Sequence, residues 1–547
     1  MNGGDALVEA LVAHGVDTAF TVPGESFLSV LEALRRNRNA IRLITVRQEG
    51  GGTFAAEAFG KLARRPAAVF VSRGPGATNA AIGVHTARQD STPLLLFVGH
   101  VRRHSRGREA FQEIDQAAFW QPLAKAVLCP ESADEVAGAT AEAIRVSQAG
   151  RPGPVVMVLP RDVGEEELSG PGPLPSPLAE PVSQPDATAL SAAVDLLDAA
   201  RRPLVVAGEL VCHTGAQASL QALAAHAGLP VLTAYRRQDA FDNLHPAYAG
   251  HLEINRVAYQ SAAIAEADLI LAVGSRLDGI TAEDGAWPGA DQQLVLLHPD
   301  PEVQARCAPA VTLPQDLGTT LKALKEAAAP GDELRSARLA DLHRAYLDLS
   351  RPDAVTSAGA VDLAQVVAVT GHLAGPDAVV LSDAGSFSRW VHRFHRFRRP
   401  GTQAGPMSGA MGYGMPGAIG ARLARPDAAV IAFVGDGSFA MTAMELATAV
   451  EQHLKLTLVV CDNAAHGSIL QGQLGRYGEE QVYGTALTSP DFAAMARAMG
   501  AAAWRIERTE DYEPALRDAL AVPGASLLHL ITDLRDIAPY GPGKEAV

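Results

Sequence analysis

Apolar runs of β character alternate along the whole chain with amphipathic segments of helical length. In the first third the runs are Ile41–Val46, Ala67–Ser72, Leu94–Gly99 and Val155–Leu159. The middle third carries Leu204–Gly208, Leu269–Val273 and Leu294–Leu297. The last third carries Ala378–Leu381, Ala429–Val434, Thr457–Cys461 and Ser526–Ile531. Strands that are apolar on both faces and separated by helices belong to parallel sheets covered on both sides. The pattern predicts three doubly wound α/β domains. In such sheets ligands sit at the carboxyl ends of strands, so chemistry is expected in the turns that follow these runs.

Residues 164–186 read GEEELSGPGPLPSPLAEPVSQPD. Prolines at that density remove backbone donors and fix φ, which predicts an unpacked linker. A second boundary is expected at 346–358, after the helical run LRSARLADLHRAYLDLS. The expected domains are therefore 1–163, 187–345 and 358–540 of the 547 residues.

Composition, 48% hydrophobic and 20% charged, supplies material for several cores. A net charge of −15 argues against a nucleic-acid binder, whose basic patch normally dominates. One stretch, Arg389 to Arg399, runs the other way and reads as a solvated or subunit-facing segment. Cys129, Cys212, Cys307 and Cys461 are scattered without a CxxC pair, so each reads as a small core residue in a reducing compartment. The start, MNGGDALVEALVAHGVDTAF, lacks the marks of a signal peptide, and no apolar stretch approaches the roughly 20 residues of a membrane span. A cytoplasmic protein is expected.

The strongest chemical signal follows Ala429–Val434: Gly435-Asp436-Gly437-Ser438, then a helical segment, then a strand ending in Asp462-Asn463. The glycines let backbone N–H groups approach an anion, and a helix opening near Ser438 would point its positive end there. Asp436 and Asn463 offer hard oxygens at the ends of two strands that could be neighbours, which suits Mg²⁺ bridging phosphates. The same residues also read as a tight turn with a capping Asp. A competing motif, Gly412-Tyr-Gly414-Met-Pro-Gly417, matches GxGxxG, but the preceding GTQAGPMSGA is not the β-run that a dinucleotide fingerprint must follow. In the first domain, Arg47-Gln-Glu49-Gly-Gly-Gly52 opens a helix with a carboxylate, which by itself reads as a dipole partner.

The segments VPGESF, RQEGGG, SRGPGATN, QDSTP, EAFQEID, RPGPVVMVLPRDV and MGYGMPGAIGARLARPDAAVIAFVGDGSF occur in this order. So ordered, the chain resembles the acetolactate synthase group of thiamine-diphosphate-dependent enzymes over nearly its whole length, most weakly in the middle third. The resemblance implies that Asp436, Asn463 and the Ala465 carbonyl bind Mg²⁺. Gly437, Ser438 and the turn Gly385-Ser386 would hold the diphosphate, and Asn79 would join the cofactor-binding set. Glu49 would hydrogen-bond the pyrimidine N1′ and promote removal of the C2 proton. Met411 would wedge beneath the cofactor and the Gly409 carbonyl would receive its amino group. Family sites form between the first domain of one subunit and the last domain of another, which implies a homodimer or homotetramer.

For the substrate, the resemblance points to Phe111, Gln112 and Lys125 near the thiazolium and to Arg276 on an acceptor carboxylate. Departures accompany it. Glu25 stands where synthases carry a small residue and is a candidate extra acid–base group. Asp462 replaces the first Asn of the metal motif. Gly472 replaces the Trp that limits the acceptor, which implies a roomier pocket. Ala207-Gly-Glu209 and GHLEINRVA replace glycine-rich flavin-contacting segments, leaving FAD doubtful. The expected activity is a transferase that decarboxylates a 2-keto acid and adds the acyl anion to a carbonyl acceptor. The alternative is a decarboxylase or lyase that releases an aldehyde. A catalytically silent binding protein on this fold is disfavoured by the intact Glu49 and metal motif.

Overall fold

The computed structural model describes residues 1–170 and 183–539. Each third of the chain builds one six-stranded parallel sheet with helices between its strands. The first contains β1 (Thr18–Thr21), β2 (Arg42–Thr45), β3 (Ala68–Ser72), β4 (Leu94–His100), β5 (Ala126–Leu128) and β6 (Pro154–Pro160), in the order β2-β1-β3-β4-β6-β5. The second contains β7 (Pro203–Ala207), β8 (Val231–Thr233), β9 (Tyr248–His251), β10 (Leu269–Val273), β11 (Gln293–Leu297) and β12 (Val311–Thr312), ordered β12-β11-β10-β7-β8-β9. The third contains β13 (Val379–Ser382), β14 (Gln403–Ala404), β15 (Val430–Gly435), β16 (Thr457–Asp462), β17 (Ala502–Ile506) and β18 (Ser526–Ile531), ordered β14-β13-β15-β16-β18-β17. The first and third sheets thus share one strand order. In both, the chain reverses direction of travel across the sheet between the first and third strands, the crevice where such folds bind ligands.

One core spans the first and third domains. The helix Glu49–Ala63 packs on Gly414–Ala424, with Phe54 edge-on to Tyr413 at 5.5 Å between centroids. A β-carbon on Gly420 would run into the Ala55 carbonyl, so glycine permits the close crossing. The MGYGMPGAIG glycines therefore serve helix packing. The strand before Gly412 is the two-residue β14, separated from it by a loop, and no dinucleotide turn is formed.

Three expectations are corrected. The basic run is neither solvated nor left for another subunit: Trp390 to His395 are buried, Arg393 donates to the carbonyls of Leu349 (2.9 Å) and Pro539 (2.8 Å), and Arg398 pairs with Asp242 at 2.6 Å. Of the cysteines, Cys461 is buried in a core, Cys212 and Cys307 are half-buried and pack against cores, and Cys129 alone is exposed. The start of the expected linker is packed, because the helix Arg161–Glu165 runs into it and the Glu166 carbonyl accepts from Gly3 N at 3.1 Å. Residues 171–182 lie outside the described residues. Among the described residues no helix is long and apolar enough to cross a membrane.

Candidate active site

β15 pairs with β16 in parallel register, Gly435 beside Cys461, so the two turns that follow lie side by side. Asp436 and Asn463 converge there: the Ala465 N–H lies 3.2 Å from both Asp436 Oδ2 and Asn463 Oδ1. These residues, with Gly385 and Ser386 after β13, Gly437, Ser438, Gly409, Met411 and His466, line a cavity of about 220 Å³ at the reversal crevice of the third sheet. His466 has no counterpart among the sequence expectations; its only signal was its place three residues after Asn463.

Burial pushes the Asp436 acid up to about 6, against a hydrogen bond from Gly437 N and with the nearby Asp462 charge adding to the rise. Such a carboxyl gains from a bound cation, and the donor set of carboxylate, amide and backbone oxygens suits a hard one. The site therefore fits a divalent metal carrying a diphosphate. Asp462 does not compete for it. His529 Nε2 donates to Oδ2 at 2.8 Å and Ser489 Oγ to Oδ1 at 2.7 Å. Burial opposes its charge, but these bonds and that from Ala464 N outweigh the penalty and hold it below the usual range.

The loop bearing Met407 to Met411 is anchored from the first domain. Asp90, the acid of QDSTP, is buried and receives Lys61 Nζ and Arg237 Nη2 at 2.8 Å each, while Met407 N donates to its Oδ2 at 3.0 Å. Burial opposes the charge, and the two cations outweigh it. Glu57, 0% exposed, closes the cluster through Tyr413 Oη at 2.6 Å. The sequence reading overlooked this network, although QDSTP carried half of it.

At the first sheet, Glu49 opens its helix after β2 and accepts from Asn79 Nδ2 at 2.9 Å. Neither residue lines the 220 Å³ cavity. Phe111 and Gln112, beyond β4, share that carboxyl edge: Gly74 N donates to the Gln112 carbonyl at 2.9 Å, and Phe111 stands 76% exposed with the Arg73 guanidinium 6.0 Å from its ring centre. Glu25, after β1, is exposed and its charge acts on Arg161.

Two expected substrate residues are elsewhere. Lys125 immediately precedes β5, at the opposite, amino edge of the sheet, and donates to the Val146 carbonyl at 2.6 Å at the end of the helix Ala133–Gln148. Arg276 follows β10 and lies 3.6 Å from the buried Glu209 carboxylate, so its charge is balanced within the chain. Gly472 lies on the exposed side of the helix Gly467–Tyr477, where a β-carbon would meet nothing. It is one turn beyond Ser468, a cavity residue on the same helix face.

Residues 1–119 match the family model of the thiamine pyrophosphate enzyme N-terminal TPP binding domain, 190–324 that of the central domain, and 383–530 that of the C-terminal TPP binding domain. The acetolactate synthase large subunit of Parasynechococcus marenigrum is 33% identical over 540 residues, covering 96% of this chain and 87% of that protein. That of Porphyra purpurea is 30% identical over 555 residues, covering 98% and 93%. A probable acetolactate synthase large subunit of Methanocaldococcus jannaschii is 28% identical over 557 residues, covering 99% and 94%.

Proposed function

We infer the reaction from family membership: the chain belongs to the thiamine pyrophosphate enzymes, in the acetolactate synthase large-subunit group. It is a thiamine-diphosphate-dependent carboligase of that type, which decarboxylates a 2-keto acid such as pyruvate and transfers the acyl unit to a carbonyl acceptor. The observation that carries this reading is the convergence of Asp436 and Asn463 beside Ser386 and Gly437 at the third sheet's crevice.

Bound thiamine diphosphate supplies the nucleophilic carbon and electron sink for cleavage next to a carbonyl. The chain's task is to hold, orient and manage protons. Asp436, Asn463 and the Ala465 carbonyl are the proposed Mg²⁺ ligands. Ser438 and the Gly385-Ser386 turn are proposed to hold the diphosphate. The Glu49 carboxyl, fixed by Asn79, would hold a proton at the pyrimidine N1′, and the Gly409 carbonyl would accept from the amino group. Met411 would pack beneath the cofactor, and Phe111 and Gln112 would flank its reacting end.

Glu49 does not line the cavity that Asp436 lines, which supports a homodimer or homotetramer with sites between subunits. The exposed Phe111 supports this, since an aromatic at that edge gains a cover from a second copy.

The middle domain does not fit a flavin dinucleotide. Glu209 places a buried carboxylate at the carboxyl end of β7, where a phosphate would have to approach, and Glu253 buries a second at the end of β9. The proposed enzyme needs no FAD. Flavin absorbance persisting at one per chain through gel filtration would refute that.

Product analysis tests the reaction itself. With a 2-keto acid donor alone and with added acceptors, a carboligase yields 2-hydroxy ketone products that scale with acceptor. A lyase yields free aldehyde at every acceptor concentration.

A further inference from the structure

His251 and Glu253 stand at and just beyond the end of β9, in the segment GHLEINRVA where the chain departs from the synthase group. His392 lies on the helix Ser388–Phe394 of the third domain, inside the basic run. The fold brings the three together across the boundary between two domains, and all are buried. His251 Nε2 lies 2.8 Å and His392 Nδ1 3.0 Å from the same oxygen, Glu253 Oε1. One ligand-type atom from each residue falls within 4.8 Å of the other two.

A buried carboxylate needs compensation, and the charge partners of Glu253 are these two imidazoles. Burial pushes the His392 imidazolium down to about 4, against the Glu253 bond that favours it. Near neutral pH that ring is therefore uncharged and keeps a lone pair. Two imidazoles and a carboxylate are the donor set of a borderline divalent ion such as Zn²⁺. Ligands about 2.0–2.2 Å from a tetrahedral ion stand roughly 3.3 Å apart, so the observed nitrogen–oxygen distances need only a small outward movement. The far side of His392 is already fixed, with Nε2 3.2 Å from Ser382 Oγ, the kind of outer hydrogen bond that orients a ligating ring. Gln260 holds the end of β9, its side-chain amide donating to the His251 carbonyl at 2.9 Å.

We propose that His251, Glu253 and His392 form a second metal site, which takes a divalent transition ion such as Zn²⁺ and staples the middle domain to the third. Glu253 and His392 also line a cavity of about 150 Å³, which leaves room for a water in the fourth position. Arg236 and Arg389 line that cavity too, and their charges oppose a cation. Arg236 is offset in part by the oxygens it donates to, Tyr235 Oη (3.1 Å) and the carbonyls of Ser382 (2.7 Å) and Asp383 (3.0 Å). Arg389, half-buried, donates to Gln471 Oε1 at 3.2 Å. The site differs in chemistry from that at Asp436, where oxygen donors suit Mg²⁺ and no imidazole nitrogen is required. It stands on these side chains alone and does not depend on the carboligase reading.

The test titrates the full-length protein, loaded with thiamine diphosphate in excess Mg²⁺, with Zn²⁺ by calorimetry and with Co²⁺ as an optical probe. Wild type should take up one Zn²⁺ per chain beyond the Mg²⁺, and Co²⁺ should give the strong visible bands of a four-coordinate, nitrogen-ligated ion. His392→Gln and Glu253→Gln each remove a ligand. Zn²⁺ affinity should fall in both by more than the roughly 10- to 100-fold that a lost outer partner costs. Asp436→Ala should keep the Zn²⁺ site. Absence of Zn²⁺ uptake by wild type overturns the proposal and leaves a hydrogen-bonded His–Glu–His cluster in its place. Uptake that survives in both ligand variants, or that is lost in Asp436→Ala, overturns it as well, since the ion then sits elsewhere. Should the ligand variants fail to fold, the wild-type Co²⁺ spectrum decides, and weak bands of an oxygen-ligated, six-coordinate ion would contradict the assignment.

Discussion

Asn79 donates its side-chain amide to Glu49 Oε2 across 2.9 Å, tying the carboxylate that opens one helix to the helix that follows β3. On the proposed reading, this carboxyl exchanges a proton with the pyrimidine. Glu49→Gln keeps the shape and the Asn79 contact but cannot shuttle a proton. Deuterium exchange at C2 of the bound cofactor should slow by about 10²–10⁴-fold, with Mg²⁺ binding and thermal midpoint unchanged. Exchange at the wild-type rate removes Glu49 from activation.

If Asp436 is the proposed Mg²⁺ ligand, cofactor binding should depend on pH. Its acid is raised to about 6 by burial, and a ligand to Mg²⁺ must be ionised. Calorimetry should show Mg²⁺–cofactor affinity falling as pH drops through 6. The apo protein should show the opposite slope. With the folded acid raised above its unfolded value of 3.8, the native state binds more protons between the two values, so apo stability falls as pH rises through that window. Asp436→Ala should abolish both dependences along with tight cofactor binding.

Asp90 should matter for folding before it matters for chemistry. Asp90→Asn leaves Lys61 and Arg237 buried beside a neutral amide, and breaking a buried pair costs about 3–5 kcal/mol. Denaturant unfolding should report a loss of that order. A loss below about 1 kcal/mol would mean that solvent reaches the cluster.

Much of this was legible in the chain. The long apolar runs became strands within a residue or so at each end, because most of these strands are buried on both faces and read as near-continuous apolar stretches. The strands not named from the sequence are short, two to five residues each: Thr18–Thr21, Ala126–Leu128, Val231–Thr233, Tyr248–His251, Val311–Thr312, Gln403–Ala404 and Ala502–Ile506. Asp436 and Asn463 were legible as candidates because each stands directly after a strand. Lys125 and Arg276 were misread for one reason. A motif fixes where a charge sits in the chain, but not whether a helix end or Glu209 has already claimed it. The basic run was misread likewise, since the Leu349 and Pro539 carbonyls that receive Arg393 are remote in sequence.

Gly472 bears on acceptor size. It shares a helix face with Ser468, one turn from the cavity wall, and has open space around it. Gly472→Trp places an indole there. It should lower kcat/KM for acceptors larger than pyruvate by about 10-fold or more, with little effect on donor decarboxylation. Equal losses for small and large acceptors would show that this face points away from the acceptor.

The central claim is that a working site joins Glu49 of one chain to Asp436 of another. Glu49→Gln and Asp436→Ala homo-oligomers should each be nearly inactive. Co-expressed, they form mixed dimers in which one site carries both lesions and the other carries none. Random pairing then restores about a quarter of wild-type activity. Recovery of that order, read as carboligation rate against the fraction of mixed dimer, is the predicted result. No recovery in a preparation shown to contain mixed dimers would contradict the account, because both residues would then serve the same chain.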